Sequence, residues 1–203
     1  MRNLQVALLL LVFAAGCEKA DVAPLEVHSE TVDERAVTRL EDAVEREDFD
    51  ATLAIVTELK GSTNAAVRLR CVESIGWFGG KSAKILEPFL WDPDEDVRSE
   101  AEDQWDSALN DIDDAHERGV LVESAMLHVR DRDIMDTAAA QLNDLPPSLA
   151  IDIIVHLIGG SNGVARVAAK ESYEYITGDE WRSVMAAQKW VEENQDQEEE
   201  EDE

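Results

Sequence analysis

The sequence predicts an all-α protein of about four stacked helical hairpins closed by a capping helix. Three observations predict it. Ala, Leu, Val and Glu dominate, while aromatics make up only 5%, and Pro and Gly are scarce; this composition favours helix over β-rich or low-complexity chains. Two Val-Arg pairs, Val67-Arg68 and Val97-Arg98, stand thirty residues apart, and each opens a stretch with apolar or small residues at i, i+4 and i+8: Val67, Cys71, Ile75, then Val97, Ala101, Trp105. The same spacing returns at Ile134, Ala138, Leu142 and at Ala165, Ala169, Tyr173. An up-down bundle gives no reason for the Val-Arg recurrence.

The chain opens with Arg2 and an unbroken apolar run from Val6 to Ala15, too short for the ~20 residues that span a bilayer. Residues 1–16 therefore read as a secretory signal. Ala14-Ala15-Gly16-Cys17 resembles the lipobox of bacterial lipoproteins, in which small residues precede a Cys that is acylated and becomes the new amino terminus. That resemblance implies lipidation at Cys17 and attachment to a membrane through acyl chains. Ala14 stands where the family usually has Leu. Glu18 follows the Cys instead of the Asp that favours inner-membrane retention in some bacteria, which implies the outer membrane. Residues 17–30 lack helical periodicity, contain Pro24 and read as a tether.

The repeat domain is expected over 31–191. Thr31 to Glu47 form a first helix through Val32, Ala36, Val37, Leu40 and Val44. Asp48 caps a second helix, with Phe49, Leu53, Val56 and Leu59 inward. The first Val-Arg helix then runs to the Gly79-Gly80 turn. Ser82 to Trp91 is predicted as a short helix carrying Ile85, Leu86, Phe89 and Leu90, and Asp92-Pro93-Asp94-Glu95-Asp96 turns into the second Val-Arg helix. Further hairpins are expected from 118–129 with 134–142, and from Leu149–Ile158 with 165–173. The second positions of the four aligned helices are Arg68, Arg98, Met135 and Arg166, at spacings of 30, 37 and 31. The long interval holds Leu109 to His116, predicted to bulge as an acidic insertion. A last helix from Asp179 to about Asn194 presents Trp181, Val184 and Val191 as a cap. Residues 192–203 hold nine acids and no base, the pattern of a disordered block.

The runs Val67-Arg-Leu-Arg-Cys-Val-Glu-Ser-Ile-Gly-Trp-Phe-Gly79 and Asp92-Pro-Asp-Glu-Asp-Val-Arg98 resemble HEAT repeats of the short bacterial type. The likeness covers residues ~49–177. It implies a right-handed α-α superhelix and protein–protein scaffolding across a curved surface. In the family a turn Asp and a helix Arg, six apart, build a ladder between repeats. Asp92 and Arg98 match that pair, with Arg68 and Arg166 at the equivalent helix position. Ser62 and Gly160 replace the Asp in other units, and Met135 replaces the Arg, so the implied ladder is partial.

A net charge of −28 opposes nucleic-acid binding and docking on anionic lipid, both of which need clustered Lys and Arg. Either the acids solvate the surface, as in a protein built for high salt, or they offer an anionic face to a cationic partner. Of the two cysteines, Cys71 lies on a buried stripe; with Cys17 lipidated, no intrachain disulfide is available.

Several motifs resemble chemical sites and fail on context. Gly159-Gly160-Ser161-Asn162-Gly163 has the G-x-S-x-G form, but a helix precedes it and no His follows. Gly76 to Ser82 ends like a phosphate loop, one residue short and behind a helix. Asp92, Asp94 and Asp96 have calcium-loop spacing without the Gly and the twelfth-position Glu; capping explains them. His116 lies beside Asp113 and Asp114, but the four His residues are dispersed and no His-Glu-x-x-His occurs. The sequence thus points to no catalytic residue, cofactor or metal ligand. Trp77 and Trp91 stand at helix ends and are candidate contact residues, whereas Trp105 falls on a core stripe.

The expected function is a lipid-anchored scaffold in the cell envelope that binds another protein. Two alternatives compete with it. One is an enzyme-linked role like that of HEAT proteins that attach pigment to phycobiliproteins, against which the signal peptide counts. The other is passive cation binding by the acidic surface.

Overall fold

The computed structural model describes residues 32–201, with side chains placed from 34 to 194. Among them the secondary structure is entirely helical. The α-helices are α1 (Val32–Glu45), α2 (Phe49–Leu59), α3 (Ala65–Gly76), α4 (Ala83–Leu86), α5 (Glu95–Asn110), α6 (Ala115–His128), α7 (Arg132–Asn143), α8 (Pro147–Gly159), α9 (Gly163–Thr177) and α10 (Val184–Glu201).

The odd-numbered helices pack in sequence: α1 on α3, α3 on α5, α5 on α7, and α7 on α9. The even-numbered ones cover them. α2 packs on α1 and α3, α6 on α7, α8 on α9, and α6, α8 and α10 touch in that order. The stripes explain this arrangement. All twelve stripe residues of α3, α5, α7 and α9 named above are buried, none more than 5% exposed. Each stripe is covered by the helices packed against it, α3 by α1, α2 and α5, and α9 by α7 and α8.

Capping sets the register of the four aligned helices. Asn64, Asp94, Asp131 and Asn162 precede them, and each side chain accepts a backbone N–H from the first turn. Each cap carbonyl then accepts the N–H of the residue four later. These donors are Arg68, Arg98, Met135 and Arg166, at 3.3, 3.2, 3.2 and 3.1 Å. The positions aligned by sequence therefore occupy one structural position. α8 starts with Pro147 at its head, where a missing N–H costs nothing. α9 ends at Gly178, whose φ of +74° suits the left-handed turn that returns its N–H to Glu174.

Three segments differ from the prediction. Ser82 to Trp91 is not one helix: the chain passes from the 3₁₀ turn Gly79–Ser82 through the single turn of α4 to a second 3₁₀ turn, Glu87–Trp91. Pro88 cannot donate within a continuous helix, and Gly79 adopts φ +57°. The stretch 109–116 does not bulge. α5 runs on to Asn110 and α6 begins at Ala115, so only residues 111–114 link them, and Leu109 and Ile112 are both buried. The last helix begins at Val184, later than expected, and its backbone stays helical to Glu201 through the block expected to be disordered from 192. Glu and Gln are good helix formers, and the helix is held at its start by buried Ala187 and by Trp190 and Val191 against the core.

Candidate functional site

The buried polar joint between α3 and α5 is the most constrained feature of the surface between units. Arg68 donates from Nε to Asp92 Oδ2 and from Nη2 to Asp92 Oδ1, both at 2.7 Å. The two side chains are only 9% and 7% exposed. Arg68 Nη1 also donates to the Ser62 carbonyl at 2.8 Å, and Asp92 Oδ1 accepts the Asp94 N–H at 2.9 Å. The planar guanidinium thus ties the turn before its own helix to the turn before the next. The hydrogen bonds to Asp92 hold the Arg68 guanidinium above its ordinary pKa against the opposing effect of burial. Burial pushes the Asp92 carboxyl up, but the Arg68 and Asp94 hydrogen bonds and the charges of Arg68 and Arg98 outweigh it, and the group sits below the usual carboxylate range.

This corrects the pairing expected between Asp92 and Arg98. Arg98 Nη1 donates to the backbone carbonyl of Asp92 at 2.8 Å, while its Nε faces Asp131 Oδ2, in the following turn, at 3.5 Å. Both Arg68 and Arg98 reach forward by one unit: Arg68 has Ser62 and no acid in its own turn, and the Asp92 carboxylate in the turn of Arg98 is taken by Arg68. The second step is more open, at 23% and 35% exposure. At the third step Met135 is fully buried and carries no charge. Arg166 is exposed, and no ion pair or side-chain hydrogen bond involves it among the described residues.

Asn162 does the work there, a residue that the sequence reading passed over. It is 2% exposed. Its Nδ2 donates to the carbonyls of Met126 and Val129, each at 2.8 Å, while Oδ1 caps α9 through the Val164 N–H. It thus ties the cap of α9 to carbonyls at the end of α6, of which Val129 also accepts from Arg130 Nη1 at 3.1 Å. The signal was its cap position, four before Arg166 as Asn64 is before Arg68. Polar side chains also bridge α5 and α7: Thr137 donates to Glu102, and Gln141 Nε2 to Asp106 Oδ1 at 2.9 Å.

Of the three tryptophans weighed above, Trp105 is fully buried, Trp77 is 70% exposed and Trp91 is 41% exposed. The Trp91 ring lies 5.3 Å from the His128 ring. Trp77 borders a hollow of about 750 Å³ with Phe78, Lys81, Asp111, Asp113 and Glu117.

The rejected motifs have structural duties. Ser161 lies exposed between α8 and α9; Ser82 donates to the Gly79 carbonyl at 2.6 Å. Asp94 caps α5, and Asp114 caps α6 through the His116 and Glu117 N–H groups. Those N–H groups hold the Asp114 carboxyl below its ordinary pKa. Among the described residues, no three His, Cys, Asp or Glu side chains are grouped to hold a metal ion. Burial pushes the Cys71 thiol up to about 12, so it stays protonated and inert at neutral pH. Cys17 lies outside the described residues. No described helix is long and apolar enough to cross a membrane.

No protein-family model, curated protein or solved structure matches this chain.

Proposed function

We propose that the chain is a scaffold in the cell envelope, anchored by lipid on Cys17, that binds another protein through a right-handed, HEAT-like stack of hairpins. The observation that carries the binding role is Trp77. A tryptophan left 70% exposed at the end of α3, beside a hollow of about 750 Å³, is the residue type that anchors interfaces. The frame supports that role. A two-point ion pair ties α3 and α5 at their N-terminal ends, which supports a fixed orientation of the two helices whose opposite ends carry Trp77 and the hollow.

The lipobox-like Ala14-Ala15-Gly16-Cys17 supports the anchor, and Glu18 supports the outer membrane as its site. The charge of −28 favours a cationic partner and opposes nucleic acid. The test is photo-crosslinking from position 77 in intact cells, followed by detergent extraction of the envelope. A single protein crosslinked in stoichiometric yield supports the scaffold; a scatter of abundant envelope proteins at trace yield overturns it.

A further inference from the structure

The outer layer has a gap where one of its helices is cut short. α2 and α6 are full helices of 11 and 14 residues, but between them stand only the four residues of α4 and two 3₁₀ turns. The shortfall leaves a groove against α6. It consists of the 750 Å³ hollow beside Trp77 and a second of about 500 Å³ beside Val120 and Ser124. The two hollows share Gly80, Lys81 and Glu117. The lining is apolar at depth, through Phe78, Ile112 and Leu121, and two large apolar side chains stand out into water, Trp77 at 70% and Val120 at 54% exposure.

The charge along the groove selects its occupant. Asp111, Asp113 and Glu117 line the first hollow, all three side chains are exposed, and none makes an ion pair among the described residues. Two bases line the groove as well: Lys81, whose ammonium stands 6.0 Å over the Phe49 ring on α2, and Lys84 in the second hollow, where Glu87 adds a further acid, so acids still outnumber bases along it. The chain's own ends carry the wrong sign: residues 17–31 hold four acids and one Lys, and 192–203 hold nine acids and no base.

We infer that this groove docks an extended, Lys- or Arg-rich segment of another protein, its cationic groups against Asp111, Asp113 and Glu117 and its alkyl stems against Trp77 and Val120. Basic side chains suit such a surface because their stems are apolar and their heads charged. An Arg can also stack on the Trp77 face. The inference rests on the scaffold reading above and names the chemistry of the partner.

The test uses the mature chain and a fluorescein-labelled nona-arginine peptide, followed by anisotropy at physiological ionic strength, where diffuse attraction is screened beyond about 8 Å. Two variants are expected to weaken binding about tenfold or more: Trp77→Ala, and the combined Asp111→Asn, Asp113→Asn, Glu117→Gln. A control carrying Glu171→Gln, Glu174→Gln and Asp179→Asn removes the same charge from the other end of the chain and is expected to bind as the parent does. Equal weakening by the two triple variants means general attraction to a polyanion and overturns the site. A photoreactive form of the peptide adds a readout independent of any variant's folding. Crosslinks within 77–84 and 111–124 support the groove; crosslinks concentrated elsewhere overturn it. Failure here separates from failure of the scaffold. A cellular partner whose binding survives the Asp111, Asp113, Glu117 variant ends the groove and leaves the scaffold; local peptide binding with no cellular partner does the reverse.

Discussion

Arg68 and Asp92, twenty-four residues apart, meet through two parallel hydrogen bonds of 2.7 Å in a joint that water barely reaches. Removing one partner strands the other charge in a buried site. Arg68→Met is therefore expected to lower stability by about 3 kcal/mol, and Tm by roughly 6–12 °C for a domain of this size. Arg98→Met removes a longer, more open ion pair and one hydrogen bond to the Asp92 carbonyl, strands no buried charge, and is expected to cost about 1 kcal/mol. Urea unfolding of both variants reads the difference; equal costs would mean the two steps of the ladder are equivalent.

Acid should erase the contribution of this pair. The folded-state pKa of Asp92 is depressed, so its stabilising effect is complete above the unfolded value of about 3.9 and is lost as pH falls through the folded value. The stability gap between the parent and Asp92→Asn is expected to be constant from neutral pH to about 4 and to narrow below that. Comparing the two proteins cancels the relief of repulsion as the many surface acids protonate. A gap that stays constant to pH 2 would contradict the assignment.

Asn162 and Arg166 invert the importance that their positions suggest. Asn162→Ala removes a cap and the buried hydrogen bonds to the carbonyls of Met126 and Val129, of which Val129 keeps Arg130 as a donor, an expected loss of about 1–3 kcal/mol. Arg166→Met changes an exposed side chain and is expected to stay within about 0.5 kcal/mol of the parent. Thermal unfolding of the pair checks this.

Cys17→Ser removes the only atom proposed to carry acyl chains. The variant is expected in the soluble fraction after lysis, while the parent stays with membranes until detergent is added. Unchanged fractionation would remove the anchor from the proposed function.

The helices were legible because burial imposes a period, and Val67, Cys71, Ile75 and their counterparts keep it without interruption. The element at 82–91 reads as one helix because Ile85, Leu86, Phe89 and Leu90 fit a helical face; Pro88, which cannot donate, breaks the backbone there. Leu109 and Ile112 stand among acids, the pattern of a bulging insertion, yet burying these two apolar side chains, one at the end of α5 and one in the linker, holds the segment against the core. The polar joint was legible by residue type and not by partner. A spacing of six within a unit names Asp92 and Arg98, but the stack decides which Arg reaches which acid, and the choice falls one unit back. Asn162 was hidden for a related reason: its partners are backbone carbonyls 33 and 36 residues away, which carry no side-chain signature.

The most direct test of stacked, cross-tied units is a double-mutant cycle on Arg68→Met and Asp92→Asn, measured by urea unfolding at neutral pH and physiological salt. Two single losses that fail to add, with a coupling of about 2 kcal/mol or more, are expected if the two residues share one buried joint between α3 and α5. Additive losses, with coupling near zero, would show that the two side chains do not meet in solution and would contradict the stack.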